Sequence, residues 1–206
     1  MGVITRILAA LAATLALGAC NGPPPPAQVD AFTGIYNRSP SSAVPVDAPV
    51  TMGQPVAFVT TDNVEHHIGY NKDAWAYWNK MVPTSLENTV AMADTDPTYF
   101  SAKLIQMLRR HWPNIQNMHD LREAKAAGMQ GVIVVDLRWK YFEPYGDRTY
   151  KIDIDLYFFD ASMTPVSKMN GHGEYTLPMI TTDGRVQKTT DAALAQVDAK
   201  ITTLVH

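Results

Sequence analysis

The chain has 206 residues, 46% hydrophobic and 18% charged, enough for one ordinary domain and short for two. Seventeen basic residues against twenty acidic ones leave a formal net charge of -3, which argues against a protein built to grip nucleic acid. A single cysteine excludes an intramolecular disulfide framework and every zinc motif that needs paired cysteines.

The N-terminus sets Arg6 before an uncharged apolar run from Ile7 to Leu17, and small residues follow. This is the three-part layout of a secretory signal. The run is eleven residues long, well under the roughly 20 that a helix needs to span a bilayer. Its end, Leu17-Gly18-Ala19-Cys20, resembles the lipobox of bacterial lipoproteins. That resemblance implies glyceride transfer to the Cys20 sulfur, cleavage just before it, and acylation of the new amino terminus with fatty acid such as palmitate. Several acyl chains hold stably where one is marginal. Asn21, not aspartate, in the next position implies sorting to the outer membrane of a Gram-negative envelope, with the domain facing the periplasm.

Residues 1–19 are thus expected to be a signal peptide and 20–54 a lipidated tether. Four prolines at 23–26 favour an extended polyproline spacer, and the stretch from Asp30 to Pro55 stays rich in Pro, Ser, Ala and Thr. Short apolar islands at Phe32 and Ile35-Tyr36 suggest that the tether docks in part on the domain.

Residues 55–206 are expected to form a single domain. Pro55–Thr61 is a short strand closed by Asp62-Asn63. Helices are expected over Asn71–Met81 and Ser85–Ala93. Asp96-Pro97 then offers an N-cap acceptor before a proline suited to the first helical position. Phe100, Leu104, Met107, Leu108 and His111 recur at helical spacing until Pro113 stops the element. A short strand over Ile115–Met118 precedes Asp120 and Glu123, a capping-box pair, with Gly128 placed to end that helix. Gly131–Phe142 and Tyr150–Asp160 alternate apolar and charged residues, and the turn formers at 143–147 make them an antiparallel hairpin. One register sets Arg138 and Lys140 near Asp155 and Asp153. A third strand over Val166–Leu177 and a helix capped at Thr190 or Asp191, with Leu194, Val197, Ile201 and Leu204 as its stripe, complete the chain. Helical stripes need a sheet face to cover, so the fold class is an α/β (α+β) sandwich with a mixed sheet of four to five strands.

The lipobox, the PPPP tether, the Phe100–Arg110 helix, the segment LREAKAAGMQGVIVVDL and the hairpin partner YKIDIDLYFFD stand in an order that resembles a set of bacterial envelope lipoproteins. These are the curli-secretion-channel (CsgG-type), PelC-type and penicillin-binding-protein-activator (LpoB-type) periplasmic domains. The resemblance runs from Pro55 to His206 and implies an accessory or assembly role without catalysis. No amphipathic insertion long enough to build a β-barrel is present, which departs from the channel formers, and Trp75–Ala93 has no counterpart.

Candidate chemistry is sparse. Histidines at 66, 67, 119 and 172 stand beside acidic residues, but neither HExxH nor an i,i+4 histidine pair occurs, and His66 and His67 would point to opposite sides of a strand. Neither GxSxG nor a phosphate loop is present. Asp153 and Asp155 read as a solvated sheet face. Trp75, Tyr77 and Trp78 cannot all face one core from a short helix, so they are the expected partner interface. No catalytic residue, metal or cofactor is expected. The reading is a non-enzymatic assembly factor held by Cys20 to the membrane, contacting an envelope protein or a second copy and no nucleic acid. The alternatives are a periplasmic hydrolase or metal-dependent enzyme, with His119 and His172 meeting an acid in a deep pocket, and a glycan-binding module using Trp75 and Trp78.

Overall fold

The computed structural model describes residues 25–33, 44–81, 98–140, 149–176 and 184–206. The elements in chain order are β1 (Val56–Thr60), α1 (Asp62–Met81), α2 (Tyr99–His111), β2 (Gln116–Asn117), α3 (Leu121–Ala126), β3 (Gly131–Lys140), β4 (Thr149–Asp160), β5 (Pro165–Thr176) and α4 (Arg185–Leu204). The strands form a five-stranded sheet in the order β2-β1-β3-β4-β5. β1 runs parallel to β2 and β3, whereas β3, β4 and β5 are successively antiparallel. Parallel neighbours need a crossover, and here α1 and α2 lie between β1 and β2 while α3 lies between β2 and β3. This is the mixed α/β sandwich expected from the alternation of stripes and strands.

The two sheet faces carry different cores. On one, Phe58, Ile133, Val135, Leu137, Ile152, Ile154, Leu156 and Met169 pack under α2 and α4. Phe100, Leu104, Met107 and Leu108 supply the α2 stripe, and Leu194, Val197 and Ile201 that of α4. On the other face, Ala57, Val59, Val132, Val134 and Phe159 are covered by Leu121 and Ala124 of α3, by Met129 and Met163, and by Phe32. Burying each large apolar side chain contributes about 1.5–3 kcal/mol, so these faces carry most of the stability.

Local signals explain several boundaries. The Asp120 carboxylate accepts from the Arg122 and Glu123 N–H groups at 2.8 Å each, as expected of an N-cap. Glu123 reaches back to the N–H of His119 at 2.6 Å. At the other end Gly128, with φ +73°, donates to the Lys125 carbonyl while Met129 donates to that of Ala124. Such paired reach-back bonds around a left-handed residue close a helix.

Three expectations need correction. Asp62-Asn63 does not close a strand into a loop but opens α1, whose first turn holds Asp62 and Glu65, acids that suit a helix N-terminus. His66 and His67 therefore lie on a helix. α2 starts at Tyr99 after Thr98, which makes no side-chain cap bond; Asp96-Pro97 lies outside the described residues, as do the Ser85–Ala93 helix and the turn at 143–147. α4 starts at Arg185, before Thr190, after a left-handed Gly184. Thr189 and Thr190 are buried within α4 and Val186 packs into the core, so packing outweighs the capping preference of threonine.

α4 lies unusually close to β5. A Cβ on Gly171 would strike the Ala193 carbonyl and Val197, and one on Gly173 would strike the Thr189 carbonyl. Only glycine permits that approach. Around the outer edge of β5, Gln196 of α4 accepts from the His172 N–H at 3.1 Å and donates to its carbonyl at 2.7 Å. Farther along that edge, Lys168 exchanges backbone bonds with Pro45 and Asp47, and Val50 pairs with the C-terminal segment through Leu204 and His206.

Candidate functional site

Beyond the part covered by α3, the second sheet face is polar. β3 and β4 set Asp136 directly opposite Asp155, Arg138 opposite Asp153, and Lys140 opposite Lys151. The expected register is therefore off by one pair. Arg138 still reaches Asp155 diagonally, Nη2 to Oδ2 3.0 Å, but Lys140 faces another lysine. Lys168 of β5 also meets Asp155 Oδ2, at 2.8 Å, and lies over the Tyr157 ring at 5.0 Å. Burial alone would lower the Lys168 ammonium, but the Asp155 and Tyr157 contacts together outweigh it and the pKa is raised. Burial, reinforced by the Asp155 charge, pushes the Tyr157 hydroxyl up.

Asp136 and Asp155 are buried, which for Asp155 corrects the solvated face expected of it, and Asp153 is half-buried. Two acids placed opposite each other repel, and each is compensated separately. Asp136 Oδ1 accepts from Thr61 Oγ1 at 2.7 Å and from Asn63 Nδ2 at 2.9 Å. Asp155 relies on its two cations through Oδ2, while its buried Oδ1 has no hydrogen-bond partner among the described residues. Toward the open end, His172 bonds Asp153 Oδ1 at 2.7 Å and Glu174 Oε2 at 3.4 Å, and Glu174 also pairs with Lys151 at 2.8 Å. The Asp153 bond, more than Glu174, raises the His172 pKa.

The N-terminal segment lies at the border of this polar face. Asn63 Oδ1 accepts from the Val29 N–H and Asn63 Nδ2 donates to the Val29 carbonyl, both at 2.9 Å. Phe32 inserts beside Tyr157 and Phe159 with ring centroids 4.9 and 6.2 Å away, edge to face. Asp30 turns the chain by accepting from the Phe32 N–H at 2.9 Å.

A second concavity, of about 640 Å³, opens where β1 and β2 end. Thr60, Asp62, Glu65, Asn117, Met118, His119 and Glu123 line it. Glu65 and Glu123 are engaged by Thr60 Oγ1 and the His119 N–H. The lining offers acceptors and one imidazole. No group of three or more His, Cys, Asp or Glu side chains among the described residues is arranged to hold a metal ion.

Of the residues singled out in the sequence, Cys20 lies outside the described residues. Trp75, Tyr77 and Trp78 are on α1, their side chains outside the description. His119 follows β2 and His172 lies on β5, at opposite edges of the sheet. Four strand spacings separate those edges, about 19 Å, so His119 and His172 do not meet in a pocket. His67 stacks on Trp139 with centroids 5.3 Å apart, and burial, with help from the His66 charge, lowers its pKa to about 4. It is a neutral core residue. Sequence reasoning missed the Asn63–Asp136–Val29 cluster, because Asn63 follows a strand and looks like a turn former; no local pattern links it to residues 34 and 73 positions away.

No protein-family model matches the chain, and no curated protein sequence matches it. Among solved structures, it is similar to the PelC dodecamer of Paraburkholderia phytofirmans, with a TM-score of 0.42 and 11% identity over 77% of this chain and 92% of that one. A point variant of the same dodecamer gives a TM-score of 0.39 at 10% identity, covering 80% and 94%.

Proposed function

We propose that this protein is a lipid-anchored envelope protein of the outer membrane that acts without catalysis, as an accessory or assembly factor contacting a partner protein or a second copy of itself. The observation that carries the reading is the order Leu17-Gly18-Ala19-Cys20 followed by four prolines. The only thiol of the chain stands where a lipobox needs its nucleophile, and a stiff spacer separates it from the sheet. The polar sheet face supports contact rather than bond-breaking, since its buried acids are occupied by Thr61, Asn63, Arg138 and Lys168. A hydrolase using His119 and His172 together is not supported, because the sheet holds them at its two edges.

Replacing Cys20 with Ala tests the anchor. The native protein should float with membranes and show, by mass spectrometry, a mature N-terminus at residue 20 carrying acyl groups. The Cys20→Ala protein should stay in the soluble fraction. A native protein with an intact leader or an unmodified thiol would overturn the reading. Cross-linking in cells, followed by identification of the linked species, distinguishes a foreign partner from a second copy.

A further inference from the structure

We propose that Asn170-Gly171 on β5 is a spontaneous modification site, a deamidation point that the folded sheet edge keeps closed and that opening of that edge exposes. Asparagine before glycine is the pairing in which a backbone nitrogen attacks the preceding side chain most readily, because glycine has no Cβ to crowd the ring that forms. In that step the Gly171 nitrogen, after losing its proton, bonds to Asn170 Cγ; the Cγ–Nδ2 bond breaks and ammonia leaves. Water then opens the cyclic imide at either carbonyl, which leaves aspartate or isoaspartate. Nothing is oxidised or reduced, and solvent water is the co-reactant.

The fold opposes the attack at each atom it needs. Gln196 and the 45–47 segment take the outward backbone groups of His172 and Lys168. Strand alternation therefore turns the Gly171 N–H inward, onto Ile154 of β4, its partner in register, so the proton that must leave is held. The Ala193 carbonyl of α4 presses on Gly171 and leaves the peptide plane no room to swing. On the opposite face Lys200 donates to Asn170 Oδ1 at 2.7 Å and fixes the side-chain amide. Asn170 itself is exposed. Restraint of the backbone, not exclusion of water, closes the site.

Conversion is one-way. The product carries a carboxylate in line with Asp155 and Asp136, acids already opposed across β4 and β3. Isoaspartate also lengthens the main chain by a carbon just before Gly171, where α4 leaves no room even for a Cβ. An edge that stays open long enough to react cannot close as before, and the chain keeps a covalent record of the opening.

The test follows the full purified chain in mildly alkaline buffer. Peptide mapping by mass spectrometry separates position 170 from Asn21-Gly22, the other such pair in the sequence. Conversion at 170 should be about a hundredfold or more slower in the native protein than in the urea-unfolded chain. Gln196→Ala, which strips both bonds from His172, should speed it about tenfold without urea, and exchange of the Gly171 amide should rise by the same factor. Native conversion as fast as in urea overturns the closed site, and no conversion in urea overturns the site altogether. A Gln196→Ala protein that exchanges faster at Gly171 yet converts no faster overturns the link to edge opening. The Asn170→Asp protein should keep β5 protected from exchange, whereas the isolated isoaspartate fraction should exchange faster along it. Equal protection of the two overturns the one-way step.

Discussion

His67 is 2% exposed on α1, stacked on Trp139, and its pKa is lowered to about 4 by burial first and by the His66 charge second. A histidine whose folded pKa lies below its unfolded value takes up its proton first in the unfolded chain. Stability contributed by the neutral ring is therefore complete above about pH 6.5, falls as pH drops toward 4, and levels off below that. The whole effect amounts to about 3 kcal/mol at most. Urea midpoints measured at pH 7, 5.5 and 4 should decline more steeply for the native protein than for His67→Gln; parallel slopes would show that the ring is solvated. At this scale the sequence is least legible. His66-His67 looks like a pair of donors, and only the long-range packing of α1 on Trp139 makes one of them a core residue. Asp155 misled for a related reason. Strand alternation places it on the polar side correctly, but it cannot say that Arg138 and Lys168 close over it.

Among elements, those with chemical punctuation were legible. Asp120, Glu123 and Gly128 mark both ends of α3, and the alternating residues of β3 and β4 mark the hairpin. The start of α4 was not legible, because the bond-forming preference of Thr190 is a local signal and the fit of α4 against β5 is not. That fit depends on Gly171 and Gly173. Gly173→Ala should force α4 away from the sheet, against a backbone carbonyl that cannot swing aside. The expected loss is about 3 kcal/mol, the upper part of the usual range for overpacking. It should appear as a lower urea midpoint with unchanged slope, and a variant as stable as the native protein would mean that α4 has room to shift.

On the scale of the whole molecule, the two apolar clusters share β1, β3 and β4, so neither can dissolve without exposing the back of the other. The domain should therefore unfold in one step, with far-ultraviolet circular dichroism and tryptophan fluorescence tracing the same transition. Separate midpoints would show that the α3 side melts alone. The layered architecture followed from periodicity because helix stripes and strand alternation are short-range patterns. The strand order did not, since pairing β1 between β2 and β3 is set by crossovers that no local segment encodes.

The Gln196 amide on His172 has a consequence for proteins crowded together. An edge strand with free N–H and C=O groups is a template onto which another copy can stack, and repetition of that step yields fibres. Here the side-chain amide occupies one such donor–acceptor pair as a neighbouring backbone would, and the 45–47 segment occupies another. Copies packed side by side can then touch through their faces without zipping into a continuous ribbon.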